Sequence, residues 1–399
     1  MNRKLAVLGT GSAGIQSLCH FLSWLNGDWT VTSIHDPNIS IVGVGESTND
    51  TFVESLFYGI DFSMNKDLEA LDATIKFCTH WKDWREQTYD TPLLSGKVAI
   101  HFNTFKLREF VLPRLHKKWG SRFSELQGTI NNLTQDKNSV TVEVGGFTHQ
   151  FDYVIDCRGF PKSFDNYTMI EEMPLNHCIV HQKNEINDWK YTLHEATPDG
   201  WMFGIPLTSR TSYGYLFNNN ITDFEQAKIN FSKQIGVDIN NNNINQFKFQ
   251  PYYSNQLIEG RILKNGNTAL FFEPMFANSI FFYDAINRFF MTYLYNGEGL
   301  VNQKILNDKF EFNVNMVKLS ILYFYHGGSN YDTEFWKRIK PIAKDYVLNN
   351  DYFNLVKEGM KNSNYLKNGY DSVKDLPSFG WFPQNLINLD KVLGYNYWT

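Results

Sequence analysis

Short apolar runs and one helical repeat alternate at the start of the chain. Leu5–Leu8 is an unbroken apolar run, which predicts a short buried strand. After a glycine-rich segment, apolar positions recur at the spacing of one helix face: Ile15, Leu18, Cys19, Leu22 and Leu25. Thr30–Ile34 predicts a second strand, and Ile41–Val44 predicts a third short extended segment. This order of elements is typical of a β-turn-α-β unit.

Three later segments have patterns of their own. Lys66–Trp84 predicts a helix, because apolar residues recur along one face: Leu68, Leu71, Ile75 and Cys78. Ser139–Val144 and Phe147–Phe151 alternate on either side of Gly145-Gly146, which predicts a hairpin with a two-residue turn. Asp152–Asp156 predicts another buried strand. Residues 176–259 mix short strands with Gly and Asn turns, and from Leu270 onward the pattern becomes helical and aromatic.

The glycine-rich segment after the first strand has the spacing of a dinucleotide-binding turn. Gly9 permits a tight turn, Gly11 leaves room for a diphosphate, and Gly14 lets the helix pack closely on the strand. The helix that follows offers free N–H groups and a partial positive charge to an anion. The predicted phosphate-binding residues are Gly9, Gly11, Ser12, Ala13 and Gly14. The alternative interpretation is a glycine-rich turn without a ligand.

Features further along the chain indicate FAD rather than a nicotinamide. An acidic residue at the end of the second strand binds ribose hydroxyls in such folds, and Asp36 is the candidate here, directly after His35. A second glycine-rich turn, Gly43–Ser47, follows closely. The strand Asp152–Asp156 runs into a short turn at Gly159, and a returning strand of this kind closes the FAD site in flavoprotein monooxygenases. The predicted contacts beyond the first turn are Asp36, Gly45, Glu46, Ser47, Asp156 and Gly159.

Composition narrows the class of protein further. The chain has 399 residues, which suggests two or three units at roughly 150 residues each. The net charge is −5 without a long basic run, so we expect no nucleic-acid partner. The four cysteines are scattered, so we expect neither a metal site nor disulfides, which fits a cytoplasmic location. No apolar stretch of ~20 residues is present, so we expect no membrane span.

Seven segments in a shared order make the chain resemble the flavin-dependent tryptophan halogenase family. They are distributed over residues 5–290: the turn Gly9–Gly14, Gly43–Ser47, Ile75-Lys76-Phe77, His101-Phe102-Asn103, Val154–Phe160, Trp201–Pro206 and Phe272-Glu273-Pro274-Met275. The last third of the chain matches only in its helical, aromatic character. The resemblance implies an α/β fold: a Rossmann-like FAD-binding monooxygenase fold with a mixed β-sheet substrate layer and a helical C-terminal cap.

The resemblance also implies a reaction. A separate flavin reductase supplies reduced FAD, which with oxygen converts chloride or bromide into hypohalous acid. The acid passes through a tunnel to an electron-rich small molecule, where a lysine carries or activates the halogen and a glutamate removes the ring proton. The family motif Trp-x-Trp-x-Ile-Pro keeps the substrate away from the flavin. It corresponds here to Trp201, Phe203, Ile205 and Pro206, with phenylalanine in place of the second tryptophan.

The chain departs from the family at both catalytic positions. Counted from the shared segments, Asp72 stands at the lysine position and Phe276 at the glutamate position. Lys76 corresponds to a second family lysine that is not the catalytic one, and it is expected one helical turn after Asp72, paired with it at i, i+4 spacing. A shift of register would bring Lys76 or Glu273 into the reaction. The positions of the family's halide site are occupied in this chain by Asn278 and Ser279. We expect Asp72, Lys76, Trp201, Phe203 and Phe276 to line the route from flavin to substrate.

Three functions remain open from the sequence. The first is a halogenase acting on an electron-rich, aromatic substrate other than tryptophan. The second is a flavin monooxygenase that hydroxylates without halide, and the third is a non-catalytic FAD-binding protein. The expected units are an FAD module over residues 1–165 with 265–295 returning to the flavin, a β-rich layer over 166–264 and a helical cap over 296–399. We expect a monomer or a homodimer.

Overall fold

The chain folds into several β-sheets with helices against them. The computed structural model describes residues 3–41, 43, 47–85, 88–93, 97–240, 242–362, 390 and 393–397. In chain order the described strands are β1 Arg3–Leu8, β2 Trp29–His35, β3 Thr74–Lys76, β4 Cys78–Lys82, β5 Tyr89–Pro92, β6 Ala99–His101, β7 Phe123–Gln127, β8 Ile130–Gln135, β9 Val140–Val144, β10 Phe147–Phe151, β11 Tyr153–Asp156, β12 Tyr167–Met169, β13 His177–Lys183, β14 Tyr191–Thr197, β15 Gly200–Pro206, β16 Thr211–Phe217, β17 Ile244–Lys248, β18 Tyr252–Ser254, β19 Ile258–Glu259, β20 Ile262–Lys264 and β21 Leu270–Phe271. The described α-helices are α1 Ser12–Trp24, α2 Asp50–Ile60, α3 Met64–Asp67, α4 Thr104–Trp119, α5 Phe224–Ile235, α6 Asn278–Tyr295, α7 Leu300–Gly327, α8 Glu334–Leu348 and α9 Asp351–Asn362.

The predicted N-terminal unit is present as the centre of a mostly parallel sheet. Its six strands lie in the order β19-β20-β11-β1-β2-β7. Strand β1 pairs in parallel with both β11 and β2, so that Leu5 lies between Tyr153 and Val31. The run Leu5–Leu8 is fully buried, as expected for a strand covered on both faces. Helix α1 follows β1 directly, which confirms the predicted strand-turn-helix-strand order and the Rossmann-like fold.

A second, larger sheet lies beside the first. Its seven strands run in the order β17-β13-β16-β15-β14-β4-β5, and all neighbours are antiparallel except β14 and β4. Helix α5 covers one face, where Phe231 packs on Tyr215. On the other face Trp201 and Phe203 join the main core. This is the mixed β layer that the resemblance implied.

The hairpin prediction is confirmed. Strands β9 and β10 pair antiparallel with Val144 opposite Phe147. Gly145 and Gly146 have φ values of 56° and 87°, the double positive φ of a type I′ turn.

The predicted helix over residues 66–84 is wrong. Only α3 and a short 3₁₀ turn at Glu69–Leu71 are helical, and β3 and β4 follow. Asp72 has a φ of 54°, a left-handed conformation that ends the helical turn. After it, Thr79 and Trp81 are buried while their neighbours are more exposed, which is the two-residue period of a strand. Strand β3 pairs with β6, and β4 lies between β14 and β5.

One helix within the predicted strand region was missed. Helix α5 begins where the Asp223 side chain accepts a hydrogen bond from the Gln226 amide, and it ends at Gly236 with a φ of 64°. Both are ordinary helix-boundary residues, so the sequence contained the signal.

The last part of the described chain is helical, with α7 and α8 packed against each other. Strands β19 and β20 pair into the first sheet although they belong to the segment 166–264. The domain bounds given above therefore stay predictions. In the described part of the chain, no helix has both the length and the apolar character needed to cross a bilayer.

Candidate active site

Two glycines of the N-terminal turn are required by packing. The Gly9 N–H donates to the Ile34 carbonyl at 2.8 Å, and Gly9 has a φ of 92°. A Cβ on Gly9 would lie 2.6 Å from the Cys157 carbonyl oxygen. A Cβ on Gly14 would lie 2.0 Å from the Gly9 carbonyl oxygen. The close approach of α1 to the end of β1 therefore excludes any larger residue at either position.

The third glycine of the turn has a different environment. A Cβ on Gly11 would meet no atom within 4 Å. Gly11 caps α1 without any side-chain hydrogen bond, and no acidic residue lies in the first helical turn. The first N–H groups of an α-helix have no partner within the helix, here those of Ser12, Ala13 and Gly14. This open cradle and the uncompensated helix end fit the diphosphate of FAD.

The predicted ribose ligand lies at the same edge of the sheet. Asp36 follows β2, and its carboxylate accepts hydrogen bonds from Thr129 Oγ1 at 2.7 Å and the Asn38 amide at 2.9 Å. These hydrogen bonds, that from Thr129 first, hold the pKa of Asp36 below its ordinary value. Asp36 therefore remains an ionised acceptor beside the glycine turn, which fits a ribose hydroxyl.

The residues predicted to close the flavin site are partly engaged elsewhere. The Asp156 carboxylate accepts two hydrogen bonds from the Arg158 guanidinium, both at 2.9 Å. Its backbone carbonyl accepts from the Asn265 amide at 2.9 Å and from the Thr268 hydroxyl. Gly159 has a φ of 99° with open space at its Cβ position. The predicted contacts Gly45 and Glu46 lie outside the described residues.

A cavity of about 210 Å³ brings several predicted residues together. Most of its wall surface is apolar, although seven of the thirteen lining residues have a polar side chain. The lining residues are Thr48, Asn49, Lys76, Thr79, Trp81, Thr91, Pro92, Leu93, Phe276, Asn278, Phe281, Val317 and Ser320. Three of these, Lys76, Phe276 and Asn278, were singled out from the sequence. An apolar wall with polar groups that can orient a ligand is the usual form of a small-molecule site.

Lys76 is the one cation in the described wall of this cavity. It is 3% exposed, and its Nζ donates to Ser47 Oγ at 3.0 Å and to the Thr48 carbonyl at 3.1 Å. Among the ion pairs of the described residues, none involves Lys76. Burial lowers the pKa of Lys76 to about 8, because the charged form loses its hydration. Such an amine changes protonation state close to neutral pH.

The expected pairing of Asp72 with Lys76 is wrong, because no helix joins them. The Asp72 carboxylate instead accepts hydrogen bonds from Thr208 Oγ1 at 2.5 Å and Ser209 Oγ at 2.6 Å. Asn103 and Arg210 donate to it as well, both at 3.3 Å. Burial opposes its ionisation, but the hydrogen bonds hold the pKa of Asp72 below its ordinary value. Asp72 is outside the described cavity wall and stabilises a turn.

The segment predicted to hold the glutamate and the halide site forms a tight turn before α6. Phe276 and Ala277 have left-handed φ values of 62° and 56°. The Phe276 ring contacts Trp81 and Phe324, with centroids 5.3 Å and 5.0 Å apart. Asn278 Nδ2 donates to the Glu273 carbonyl at 2.8 Å, which closes the turn. Asn278 is on the described cavity wall, whereas its neighbour Ser279 is not.

Glu273 lies in a buried hydrogen-bonded cluster, outside the described cavity wall. Its Oε1 accepts hydrogen bonds from Trp201 Nε1 at 3.0 Å and from the Tyr325 hydroxyl at 2.9 Å. Its Oε2 is buried and has no hydrogen-bond partner among the described residues. Burial raises the pKa of Glu273 to about 8, against the opposing effect of the two hydrogen bonds. Glu273 therefore ties the segment before α6 to β15 and α7.

The aromatic motif of β15 is buried along its whole length. Trp201 stacks on His194 with ring centroids 4.8 Å apart. The Phe203 ring packs against Gly214, where a Cβ would lie 2.1 Å from the ring. The Pro206 carbonyl accepts a hydrogen bond from Thr74. Trp201, Phe203, Ile205 and Pro206 are all absent from the described cavity wall. Trp81, which also lines the cavity, was not predicted from the sequence, although its two-residue spacing from Thr79 is typical of a strand face.

Comparison with known proteins decides the family. The model of the tryptophan halogenase family matches residues 4–143 and 90–367. The chain belongs to the tryptophan halogenase family. Its members are flavin-dependent enzymes of the oxidoreductase class, so the resemblance of the sequence to flavin-dependent halogenases is confirmed. The sequence identity between this chain and its relatives in the family is low.

Two relatives and two solved structures illustrate that distance. The chain is 23% identical to the tryptophan 6-halogenase ThaL of Streptomyces albogriseolus in an alignment of 424 positions, gaps included. The alignment covers 85% of this chain and 79% of the relative. It is 19% identical to the tryptophan 7-halogenase RebH of Lentzea aerocolonigenes, over the same shares of each chain. The flavin-dependent halogenase BrvH of Brevundimonas sp. BAL3 has a TM-score of 0.80 at 14% identity, over 98% of this chain and 90% of that chain. The tryptophan 6-halogenase SttH of Streptomyces toxytricini has a TM-score of 0.77 at 18% identity, over 90% and 85%. The family fold is therefore kept at low identity.

Proposed function

We propose that this chain is a halogenase that uses reduced FAD, oxygen and chloride or bromide to halogenate an electron-rich small molecule other than free tryptophan. A separate flavin reductase supplies the reduced cofactor. The observation that supports this proposal most is the position of Lys76, a buried cation on the wall of a mostly apolar cavity. In a family whose reaction uses a lysine at the end of a tunnel, Lys76 is the residue placed to act.

The residues of the first sheet fit the cofactor. Gly11, Ser12 and Ala13 would hold the diphosphate through the start of α1, and Asp36 would hold the ribose. When bound, reduced FAD with oxygen supplies the oxidising power that converts halide into hypohalous acid. Chain groups near Lys76 must then receive that acid and exclude bulk water from it.

Lys76 is suited to either task proposed for the family lysine. With a pKa of about 8, about a tenth of the side chains are neutral at pH 7. The ammonium form donates a hydrogen bond to hypohalous acid, and the neutral amine is a nucleophile toward its halogen. Neither form is neutralised by a carboxylate in the described residues around it. This supports Lys76, and not Asp72, as the catalytic residue.

The substrate proposal depends on what surrounds Lys76. Among the described lining residues no side chain is acidic, and Phe276 stands at the position of the family glutamate. The ammonium group of free tryptophan would find no counter-charge among the described lining residues, and Lys76 is the one charged group there for its carboxylate. An uncharged aromatic molecule fits the apolar side formed by Trp81, Phe276 and Phe281. Asn278 remains the halide candidate, since it lies on the same wall, whereas its neighbour Ser279 does not.

The direct experiment is a bromination assay on the full chain. The chain is combined with a flavin reductase, NADH, FAD, oxygen and bromide, and it is offered indole, a phenol, a pyrrole and tryptophan in parallel. We expect a product with the isotope doublet of bromine from at least one uncharged substrate and less from tryptophan. Lys76→Met should abolish that product, while the exposed control Lys309→Met should not.

Three other outcomes of this assay are informative. Oxygenated product in the absence of bromide would replace the proposal with a hydroxylase. Flavin binding without conversion of any substrate would point to a non-catalytic protein. Free hypobromous acid, detected by its reaction with a thiol, would support halide oxidation even where the substrate panel fails.

A further inference from the structure

A row of buried side chains joins the Lys76 amine to the His101 ring. Lys76 Nζ lies 3.0 Å from Ser47 Oγ, which lies 2.7 Å from Thr192 Oγ1. Thr192 Oγ1 in turn lies 2.9 Å from His101 Nε2. All four side chains are at most 8% exposed. The row therefore runs through the protein interior, from the cavity wall across β14 to β6.

The far end of the row is anchored on a backbone carbonyl. His101 Nδ1 lies 2.9 Å from Thr74 Oγ1, and Thr74 donates to the Pro206 carbonyl at 2.6 Å. A carbonyl oxygen only accepts, so the single hydroxyl proton of Thr74 is committed to Pro206. Thr74 Oγ1 must then accept its other hydrogen bond, and His101 Nδ1 must carry a proton.

This anchor sets the direction of every other bond in the row. A neutral imidazole with a proton on Nδ1 has only a lone pair on Nε2, so Thr192 donates to His101. With its proton used, Thr192 accepts from the Ser47 hydroxyl. Ser47 Oγ is then an acceptor for Lys76. The neutral ring follows from burial, which holds the pKa of His101 well below its ordinary value, as do the nearby Lys76 and Lys190.

We infer that His101 is a positioning residue, which keeps Ser47 Oγ an acceptor and so fixes how Lys76 presents its nitrogen to the cavity. Lys76 Nζ has two protons committed, one to Ser47 Oγ and one to the Thr48 carbonyl. One position of the nitrogen remains, and Lys76 borders the cavity. That position holds the third proton of the ammonium or the lone pair of the amine. This inference rests on the proposed role of Lys76 in halogenation.

Other titratable groups near the row do not change which residue donates and which accepts in each of its hydrogen bonds. Cys78 and His194 interact with the Lys76 charge, and both side chains are neutral near pH 7: the pKa of Cys78 is raised and that of His194 is lowered to about 3. Lys190 acts on His101 and opposes its protonation. His101 is thus an acceptor toward Thr192 over the working range of the enzyme.

Thr192 offers a matched pair of variants, because valine has its shape without the hydroxyl and serine keeps the hydroxyl. Thr192→Val should lower kcat for bromination between about tenfold and a hundredfold, with KM and FAD affinity changed less than about twofold. Thr192→Ser should stay within about threefold of the wild type. The part of the pH profile of kcat that reports the ionisation of Lys76 should move to lower pH in Thr192→Val. The Ser47 hydroxyl is then free to donate to the neutral amine, and this hydrogen bond stabilises the neutral form. Equal kcat and an unchanged limb in the two variants would overturn the inference.

A second pair covers the case in which Thr192→Val does not fold. Gln at position 101 can place an oxygen near Nε2 and accept from Thr192, whereas Asn reaches only the Nδ1 position beside Thr74. His101→Gln should therefore keep more activity than His101→Asn. The reverse order would count against a role directed toward Lys76.

The tautomer itself can be measured without any turnover. Nitrogen NMR of the full chain with labelled histidine, assigned with His101→Gln, should show a neutral ring with its proton on Nδ1 near neutral pH. A proton on Nε2 or a charged ring would overturn the inference. If the wild type halogenates nothing while this tautomer is observed, the proposed function fails and the arrangement of the row stands. If bromination is found with the other tautomer, only the role of His101 fails.

Discussion

The indole N–H of Trp201 donates to the buried carboxyl group of Glu273 at 3.0 Å. Its oxygen Oε1 accepts this hydrogen bond and one from the Tyr325 hydroxyl, whereas Oε2 has no partner in the part of the chain that the structure describes. A carboxyl group in this setting is easier to keep neutral than charged, and the pKa of Glu273 is accordingly raised to about 8. A tryptophan of the motif and a glutamate of a distant segment thus form one buried unit, and its stability depends on pH.

The first prediction concerns that unit. In the unfolded chain the Glu273 carboxyl ionises near 4.5, so as pH rises from 4.5 through 8 the folded state holds a proton that the unfolded state has lost. Stability therefore falls over this window, by at most about 5 kcal/mol for the full shift. Glu273→Gln should match the wild type near pH 5 and exceed it above pH 8 in urea unfolding. A constant difference across this range would show that Glu273 does not titrate in it.

The second prediction concerns the buried Lys76 charge. Its folded pKa of about 8 lies below the 10.5 of an ordinary lysine, so the unfolded state binds more protons between these values and stability rises with pH there. Lys76→Met should abolish bromination and yet raise the free energy of unfolding at pH 7, by at most about 3 kcal/mol. That gain should disappear above pH 10.5. The exposed Lys309→Met serves as the control and should change neither quantity.

The third prediction separates two glycines of the same turn. Gly11→Ala adds a methyl group to open space, so the unfolding temperature without flavin should hardly change while the affinity for FAD falls. Gly14→Ala places its Cβ 2.0 Å from the Gly9 carbonyl oxygen, so the protein itself should lose about 1–3 kcal/mol. Thermal unfolding and quenching of flavin fluorescence measure the two effects. Unaltered FAD affinity in Gly11→Ala would remove the case for a diphosphate at this helix end.

The fourth prediction compares two aspartates in the same left-handed conformation. Asp72 and Asp61 have φ values of 54° and 56°, but Asp72 is buried among donors while the Asp61 side chain is 76% exposed. Asp72→Asn should lower stability by about 1–3 kcal/mol, because an amide cannot accept every hydrogen bond of the carboxylate. Asp61→Asn should cost less than about 1 kcal/mol.

The pH dependence gives a second measure of Asp72. Its folded pKa lies below 3.8, so the stabilisation by the carboxylate is complete above the unfolded value and disappears as pH falls through the folded one. The difference between the wild type and Asp72→Asn in denaturant unfolding should shrink accordingly in acid. A difference that persists there would mean that the amide disturbs the turn for steric reasons.

The sequence alone determined the nucleotide-binding unit. Leu5–Leu8, the glycine turn and the strand at Thr30–Ile34 depend on residues close together in the chain, and so does the hairpin at Gly145-Gly146. Their signals are local: glycines where the backbone takes a positive φ, apolar runs long enough for one strand, and helical spacing directly after a turn. These predictions were confirmed because no distant partner was needed to choose between alternatives.

Only the tertiary structure decided where Lys76 and Asp72 lie. The segment 66–84 has apolar residues at positions that suit a helix face, whereas its two short strands bury Lys76, Thr79 and Trp81. Strand β3, which carries Lys76, pairs with β6, and the following strand β4 pairs with β14, more than a hundred residues further along the chain. These pairings fix both strands, and Lys76 lies on the cavity wall. Asp72 finds its donors at Thr208–Arg210, which are equally distant. Contacts of that range leave no trace in local spacing, because a pattern along the chain records the period of an element and not the partner that selects it.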